Sequence, residues 1–205
     1  MRTSAPSVTL RNVMGLNNQL PRLSESTLIM IDFQNTYRAG VMTLDGAESA
    51  LTAGARLLER ARTIGTPVIH IINDGGENTP YDIKAEIGRI SDKVAPRDGE
   101  TVVVKQFPNS FHATALEETL KGLGKPAGSN LILAGFMTQM CVMFTAQGAF
   151  NLGYHPTVVA EATATRSLSS PNGQVLSADN LQNASLAIIT DLFGPVALTV
   201  DALAS

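Results

Sequence analysis

The chain has 205 residues, 44% hydrophobic and 16% charged, which is enough apolar surface for one core and sets the expectation of a single globular domain. A net charge of −3, with no Trp and no block of Lys or Arg, excludes a nucleic-acid surface; no apolar run approaches the roughly 18 residues of a membrane span, so neither partner is expected. One cysteine, Cys141, excludes an internal disulfide or a cysteine-rich metal site, and Met1–Leu23 interleaves Arg with Ser, Asn and Pro where a secretory leader would be apolar, which predicts a cytoplasmic chain.

In chain order, residues 1–23 read as an N-terminal extension and 24–205 as the domain. Thr27–Phe33 is a short run rich in branched residues and reads as a buried strand. From Asp45 to Ile64 the apolar residues recur at helical spacing, and Gly65 with Pro67 ends that helix. Pro67–Ile72 predicts a second strand, and 73–96 a polar connection with a helical turn around Ile83–Ile90. Thr101–Val104 predicts a third strand with Lys105 at its end. His112–Leu123 reads as helix, Leu131–Gly135 as strand, Cys141–Leu152 as helix, Thr157–Ala160 as strand, Ser177–Leu192 as helix and Val196–Val200 as a sixth strand. Strands alternating with helix-sized connections predict a parallel sheet covered on both faces, with ligands at the carboxyl ends of the strands.

Three chemistry-bearing side chains fall just beyond such ends. Cys141 follows the fourth strand by a short turn and opens the next helix, where unpaired N–H groups and the helix dipole favour thiolate. Taken alone, an isolated cysteine reads as a small buried hydrophobe; its predicted place at a crevice mouth favours a nucleophile. Asp32 and Lys105 each end an apolar strand, where they form either a structural ion pair or an acid–base pair serving the thiol. An aspartyl phosphatase would need a second Asp where Gln34 stands, and a dinucleotide-binding turn would need more glycines than Gly40.

The segments Ile31–Tyr37 (IDFQNTY), Val102–Phe111 (VVVKQFPNSF) and Leu133–Val142 (LAGFMTQMCV) together resemble the isochorismatase-like cysteine hydrolases, over most of Thr27–Asp191. The resemblance implies a Rossmann-like three-layer α/β/α fold with a six-stranded parallel sheet and a Cys-Asp-Lys triad of Cys141, Asp32 and Lys105. It implies a non-proline cis peptide between Phe136 and Met137, with an oxyanion hole from the N–H groups of Met137 and Cys141. The implied activity is hydrolysis of a C–N bond in a small amide or carbamoyl compound through a thioester-like intermediate. The alternatives are a non-catalytic or small-molecule-binding member and an enol ether hydrolase of the isochorismate type, although the latter needs no cysteine.

Nicotinamidases carry an Asp-x-His pair after the second strand, but Ile71–Glu77 lacks the histidine, so no metal and no cofactor are expected. Gln34, Tyr37, Phe107, Asn109, Phe111 and Gln139 are candidates for substrate contact, with packing as the competing role for the aromatics. His70 reads as a satisfied core or interface residue, His112 and His155 as surface. Asn73–Gly76 reads as a turn rather than a lid, and Glu161 as a partner for Arg166 or a group reaching the site. A homodimer or homotetramer is expected.

Overall fold

The alternating pattern folds as three layers, α/β/α, in a computed structural model that describes residues 7–205. Five strands follow the predicted runs: β1 (Ser26–Ile31), β2 (Val68–Asn73), β3 (Thr101–Lys105), β4 (Asn130–Phe136) and β5 (His155–Ala164). A two-residue hairpin, β6 (Leu168–Ser169) with β7 (Val175–Leu176), precedes the short last strand β8 (Val196–Ala197). The main sheet has six strands in the order β3-β2-β1-β4-β5-β8, all paired in parallel. The chain winds from β1 outward through β2 to β3, then returns to the other side of β1 as β4. That reversal makes the β1/β4 boundary the switch point, where the following loops diverge and leave a crevice.

Side chains alternate across β1, as a strand buried on both faces requires. Leu28 and Met30 pack with helix α2 (Ala47–Ile64), while Ile29 and Ile31 face helices α3 (Leu116–Gly122) and α4 (Met143–Asn151). Helix α2 ends where the sequence says it should: Gly65 takes φ 76° and its N–H closes on Ala61 O and Arg62 O. Gly135 is the closest approach in the sheet. It sits at φ 136°, and a Cβ there would lie 1.8 Å from Ile31 O, so only glycine lets β4 run beside the end of β1.

Several boundaries differ from the sequence expectation. Helix α3 starts at Leu116, four residues later than predicted. The segment before it is taken up by side-chain turns, Asn109 Oδ1 accepting from Phe111 N–H and Thr114 Oγ1 donating to Ser110 O, and Ala113 has φ 53°. The helix expected from Cys141 begins at Met143, after a π turn over Thr138–Val142. Helix α5 (Ala178–Ile188) likewise closes in a π turn, Ile189–Phe193. Strand β5 runs farther than expected through a register shift opposite Leu133/Gly135, and β8 is shorter than Val196–Val200. The 73–96 connection carries two 3-10 turns, Glu86–Gly88 and Asp92–Val94.

Of the predicted extension, residues 1–6 lie outside the described residues. The rest contains helix α1 (Leu10–Val13) and is tied to the end of α5, through Leu10 N–H to Asp191 Oδ1 (3.0 Å) and Arg11 Nη1 to Leu192 O (3.1 Å).

Candidate active site

Asp32 is the first residue beyond β1. Its N–H still reaches Ile71 O (3.0 Å), but its carbonyl accepts from Gln34 N–H (2.7 Å) and its φ is 49°, a left-handed conformation that turns the carboxylate over the end of the sheet. Lys105 ends β3 in register with Asn73 of β2 and extends over that strand. Its Nζ lies 2.7 Å from Asp32 Oδ2, 3.3 Å from Cys141 Sγ and 3.3 Å from Asn73 Oδ1. Cys141 arrives from the opposite side, on the turn after β4. The acid and base side chains are wholly buried, and Cys141 is buried as well, with 6% of the residue exposed.

Burial sets the protonation states. It pushes the Asp32 carboxyl above its ordinary value, and the Lys105 charge opposes that shift without cancelling it. Burial alone would pull Lys105 down; Asp32 and Cys141 outweigh it and keep the ammonium. The Cys141 thiol is pushed up to about 12, by burial first and the Asp32 charge second, against the pull of Lys105. The shift runs against the thiolate expected from the helix end: Cys141 stands in a π turn deep in the fold, where burial and the neighbouring carboxylate favour the thiol. Among the described residues, Lys105 is the one cation within ion-pair distance of Asp32, and no backbone N–H reaches either carboxylate oxygen, which leaves lone pairs to receive a proton. Such an arrangement can transfer the thiol proton to Asp32 while Lys105 balances the charge.

The cis peptide joins Phe136 to Met137, and the Met137 carbonyl accepts from both Met140 N–H (3.0 Å) and Val142 N–H (3.2 Å). These bonds pin the turn that carries Cys141.

The candidates for substrate contact separate. Gln34 is fully buried and committed to the protein: Nε2 donates to Asn73 O (3.0 Å) and Gly88 O (2.6 Å), and Oε1 accepts from Asn73 N–H (3.0 Å). It is a latch between loops, with no capacity left for a ligand. Tyr37 is buried in the core, its ring 5.5 Å from Phe136 and 5.9 Å from Tyr81. Gln139 lies on the turn, with Oε1 accepting from Thr165 Oγ1 (2.5 Å). The segment beyond Lys105 leads away from the crevice along α4. Asn109 rests on Gly148, Phe111 stacks on Tyr154 (5.6 Å), and Phe107 is half-exposed against His112. Asn109 and Phe111 thus pack against α4 and Tyr154, on either side of Ser110, whose hydroxyl pairs with Thr145 about one helical turn beyond Cys141.

His70 is buried with Nε2 2.9 Å from Glu100 Oε2, whereas His112 and His155 are exposed. Glu161 pairs with Arg56 and accepts from Val200 N–H, so the pairing with Arg166 is corrected. Asn73–Gly76 is a turn closed by Asp74 Oδ1. Among the described residues, no three His, Cys, Asp or Glu side chains come together as a metal set.

Sequence reasoning missed three neighbours of the reacting groups. Asn73 links Gln34 to Lys105. Tyr81 edges onto Tyr37, and burial first and the nearby Asp32 charge among the rest raise its phenol. Arg166, just beyond β5, is close enough for its charge to act on Tyr81, and its Nε is buried with no hydrogen-bond partner. Only Arg166 carried a signal, a cation two residues past the end of β5; the other two depend on how 73–96 folds.

The sequence pattern of the Isochorismatase domain matches residues 26–199. The fold superposes on a solved isochorismatase from Pseudomonas putida KT2440 with a TM-score of 0.91 and 35% identity, covering 97% of this chain and 100% of that one. A secreted isochorismatase effector, Isc1 of Verticillium dahliae, is 28% identical over 194 residues, 94% of this chain and 98% of its own length. A maleamate amidohydrolase from Pseudomonas putida is 30% identical over 162 residues, 68% of this chain and 72% of its own.

Proposed function

The chain belongs to the isochorismatase family of hydrolases, and from that premise we propose that it is a cysteine amidohydrolase acting on a small amide or carbamoyl compound. The observation that carries this reading is the single Lys105 Nζ placed 2.7 Å from Asp32 Oδ2 and 3.3 Å from Cys141 Sγ, all buried. A merely structural ion pair would not need a thiol within reach of both charges.

In the first step Cys141 Sγ bonds to the carbonyl carbon as its proton passes to Asp32. The oxygen that becomes negative is met by the N–H groups of Met137 and Cys141. Asp32 returns the proton to the departing nitrogen, the C–N bond breaks, and an acyl thioester remains on the sulfur. Water then gives a proton to Asp32 and attacks the thioester; the acid leaves and the proton returns to the thiol. Lys105 keeps its charge throughout and offsets the anion wherever it resides.

A substrate bearing its own carboxylate fits best. Arg166 brings a guanidinium with an unpartnered buried Nε to the rim beside Tyr81, and maleamate, in the relative's name, is such an amide. The half-exposed Val102 and Val104 on edge strand β3 support assembly as a homodimer or homotetramer, which light scattering would reveal against the 21.7 kDa monomer. A chain with one thiol that must remain reduced suits the cytoplasm, and no described helix is long and apolar enough to cross a membrane.

Ammonia release from a panel of primary amides, carbamoyl amines and ureides tests the reading, comparing wild type with Cys141→Ala. Turnover of at least one carboxylate-bearing member is expected in wild type alone. Equal rates of ammonia release from both proteins would remove Cys141 from the mechanism; turnover of isochorismate that survives Cys141→Ala would replace the reading with the enol ether chemistry; no turnover of any compound would favour a binding role.

A further inference from the structure

At the opposite end of the sheet, where β4 and β5 begin, a cavity of about 230 Å³ lies between the N-terminal segment and the end of α5. Strand β4 separates it from the reacting sulfur by about 20 Å, at roughly 3.3 Å per residue. One wall is apolar, formed by Phe150 and Phe193, whose rings lie 6.1 Å apart, with Pro156 and Pro195 beside them. Another wall is Arg11, only 7% exposed.

Arg11 is out of balance with its surroundings. Its Nε donates to Asn18 Oδ1 (2.8 Å), Nη1 to Leu192 O (3.1 Å) and Nη2 to Asn17 O, all uncharged acceptors. A guanidinium has five N–H donors, so two remain for the cavity. No carboxylate pairs with it among the described residues, and residues 1–6 contain no Asp or Glu. Nor is there an Asp or Glu among the residues that line the cavity; the other polar groups there include Asn17, Gln19 and Asn130. Burying a charge without a counter-charge is costly, and the lowered proton affinity of Arg11 is what burial without an acid produces.

We propose that this cavity is a second ligand site, taking a small monocarboxylate whose apolar body lies on Phe150 and Phe193 and whose carboxylate pairs with Arg11. The planar guanidinium fits a carboxylate edge to edge, and the aromatic wall selects an organic anion over inorganic phosphate. The inference is independent of the reaction proposed above, since it uses none of its residues.

Benzoate, benzamide and inorganic phosphate, titrated into the full-length protein and followed by backbone amide NMR shifts, test it. Benzoate is expected to give saturable shifts at Gly153, His155 and Gln19, with affinity about tenfold or more above benzamide, as a charge-assisted pair implies. Phosphate is expected to give none. Arg11→Gln should weaken benzoate by a similar factor. Phe193→Trp, which fills the cavity and leaves the charge in place, should do the same, so a poorly folded Arg11 variant would not leave the matter open. Equal affinity for benzoate and benzamide, shifts confined to Met137 and Cys141, or tighter binding of phosphate would each overturn the proposal.

Discussion

Two acid–base clusters, one partly buried and one wholly buried, stand at opposite ends of β2 and β3, and they are built to opposite purposes. In the first, Glu100 has every oxygen occupied: Arg62 Nε reaches Oε1 (2.7 Å), while Arg62 Nη2 (2.8 Å), Arg97 N–H (2.9 Å) and His70 Nε2 (2.9 Å) converge on Oε2. Burial would raise Glu100, yet the hydrogen bonds from Arg62, Arg97 and His70 win and hold it at about 2. His70 is pulled below its ordinary value by burial, so it is neutral and donates Nε2–H. In the second cluster Asp32 has one lysine within ion-pair distance, no backbone hydrogen bond to its carboxylate and a left-handed backbone, and burial moves its carboxyl up. A carboxylate paired with a cation makes a clamp when both of its oxygens are answered by several donors and a proton acceptor when they are not. Strained backbone and under-satisfied buried groups gather where chemistry is done.

Breaking each cluster at its acid separates the two roles. Asp32→Asn is expected to lower turnover by about 10²–10⁴-fold, the usual share of a positioned general acid–base, measured as the initial rate of ammonia release at saturating substrate. Because Asp32 is one of the groups that push Cys141 up, the same variant should also lower the thiol pKa, read from the pH dependence of iodoacetamide labelling. An unchanged or higher thiol pKa would deny that the carboxylate governs the sulfur. Glu100→Gln is expected to leave turnover within about twofold and to cost about 2 kcal/mol in urea unfolding, a figure already reduced for partial solvent screening of the network. Loss of activity without loss of stability would place Glu100 in the wrong cluster.

The pH dependence sharpens the contrast. Catalysis needs ionised Asp32, so kcat/KM should fall as pH drops through a value above the ordinary 3.8. Stability follows different groups. His70 is depressed below 6.5 in the fold, so its contribution is whole above 6.5 and declines as pH falls below that. Glu100 is depressed from 4.5 to about 2, so its contribution is whole above 4.5 and is lost as pH falls from there toward 2. Glu100→Gln should therefore flatten the stability curve between 4.5 and 2 while the acid limb of kcat/KM stays where it was. A limb that moved with Glu100 would mean that the clusters share protons.

What the sequence disclosed follows the range of the interactions involved. The six-stranded parallel sheet was legible because period and strand composition are local, and because Asp32, Lys105 and Cys141 each stand at a strand end that topology brings to one edge. The protonation state of Cys141 was not legible, since it depends on burial and on the Asp32 distance rather than on the helix that follows. Gln34 looked like a ligand contact from its place in the motif; its three hydrogen bonds depend on where Asn73 and Gly88 fold back. The packing partners of Asn109 and Phe111, Gly148 and Tyr154, were hidden for a related reason, as proximity to Lys105 in sequence says nothing about the direction in which the chain leaves an edge strand.

The smallest effect probes how the reacting cluster is held. Gln34 fixes both the N–H and the carbonyl of Asn73, and Asn73 Oδ1 receives Lys105 Nζ at 3.3 Å, so the ammonium is aimed by a chain of neutral amides instead of by a second acid. Asn73→Ala removes that third contact and leaves Lys105 with Asp32 and Cys141. Turnover is expected to fall by about tenfold, the loss of roughly one hydrogen bond to a charged group, with KM little changed because Asn73 touches Lys105 and not the substrate. If Asn73→Ala raised KM at constant kcat, Asn73 would belong to the pocket; if it changed neither, the lysine would be held by its two reactive partners alone, and the orientation of the second cluster would owe nothing to the amides behind it.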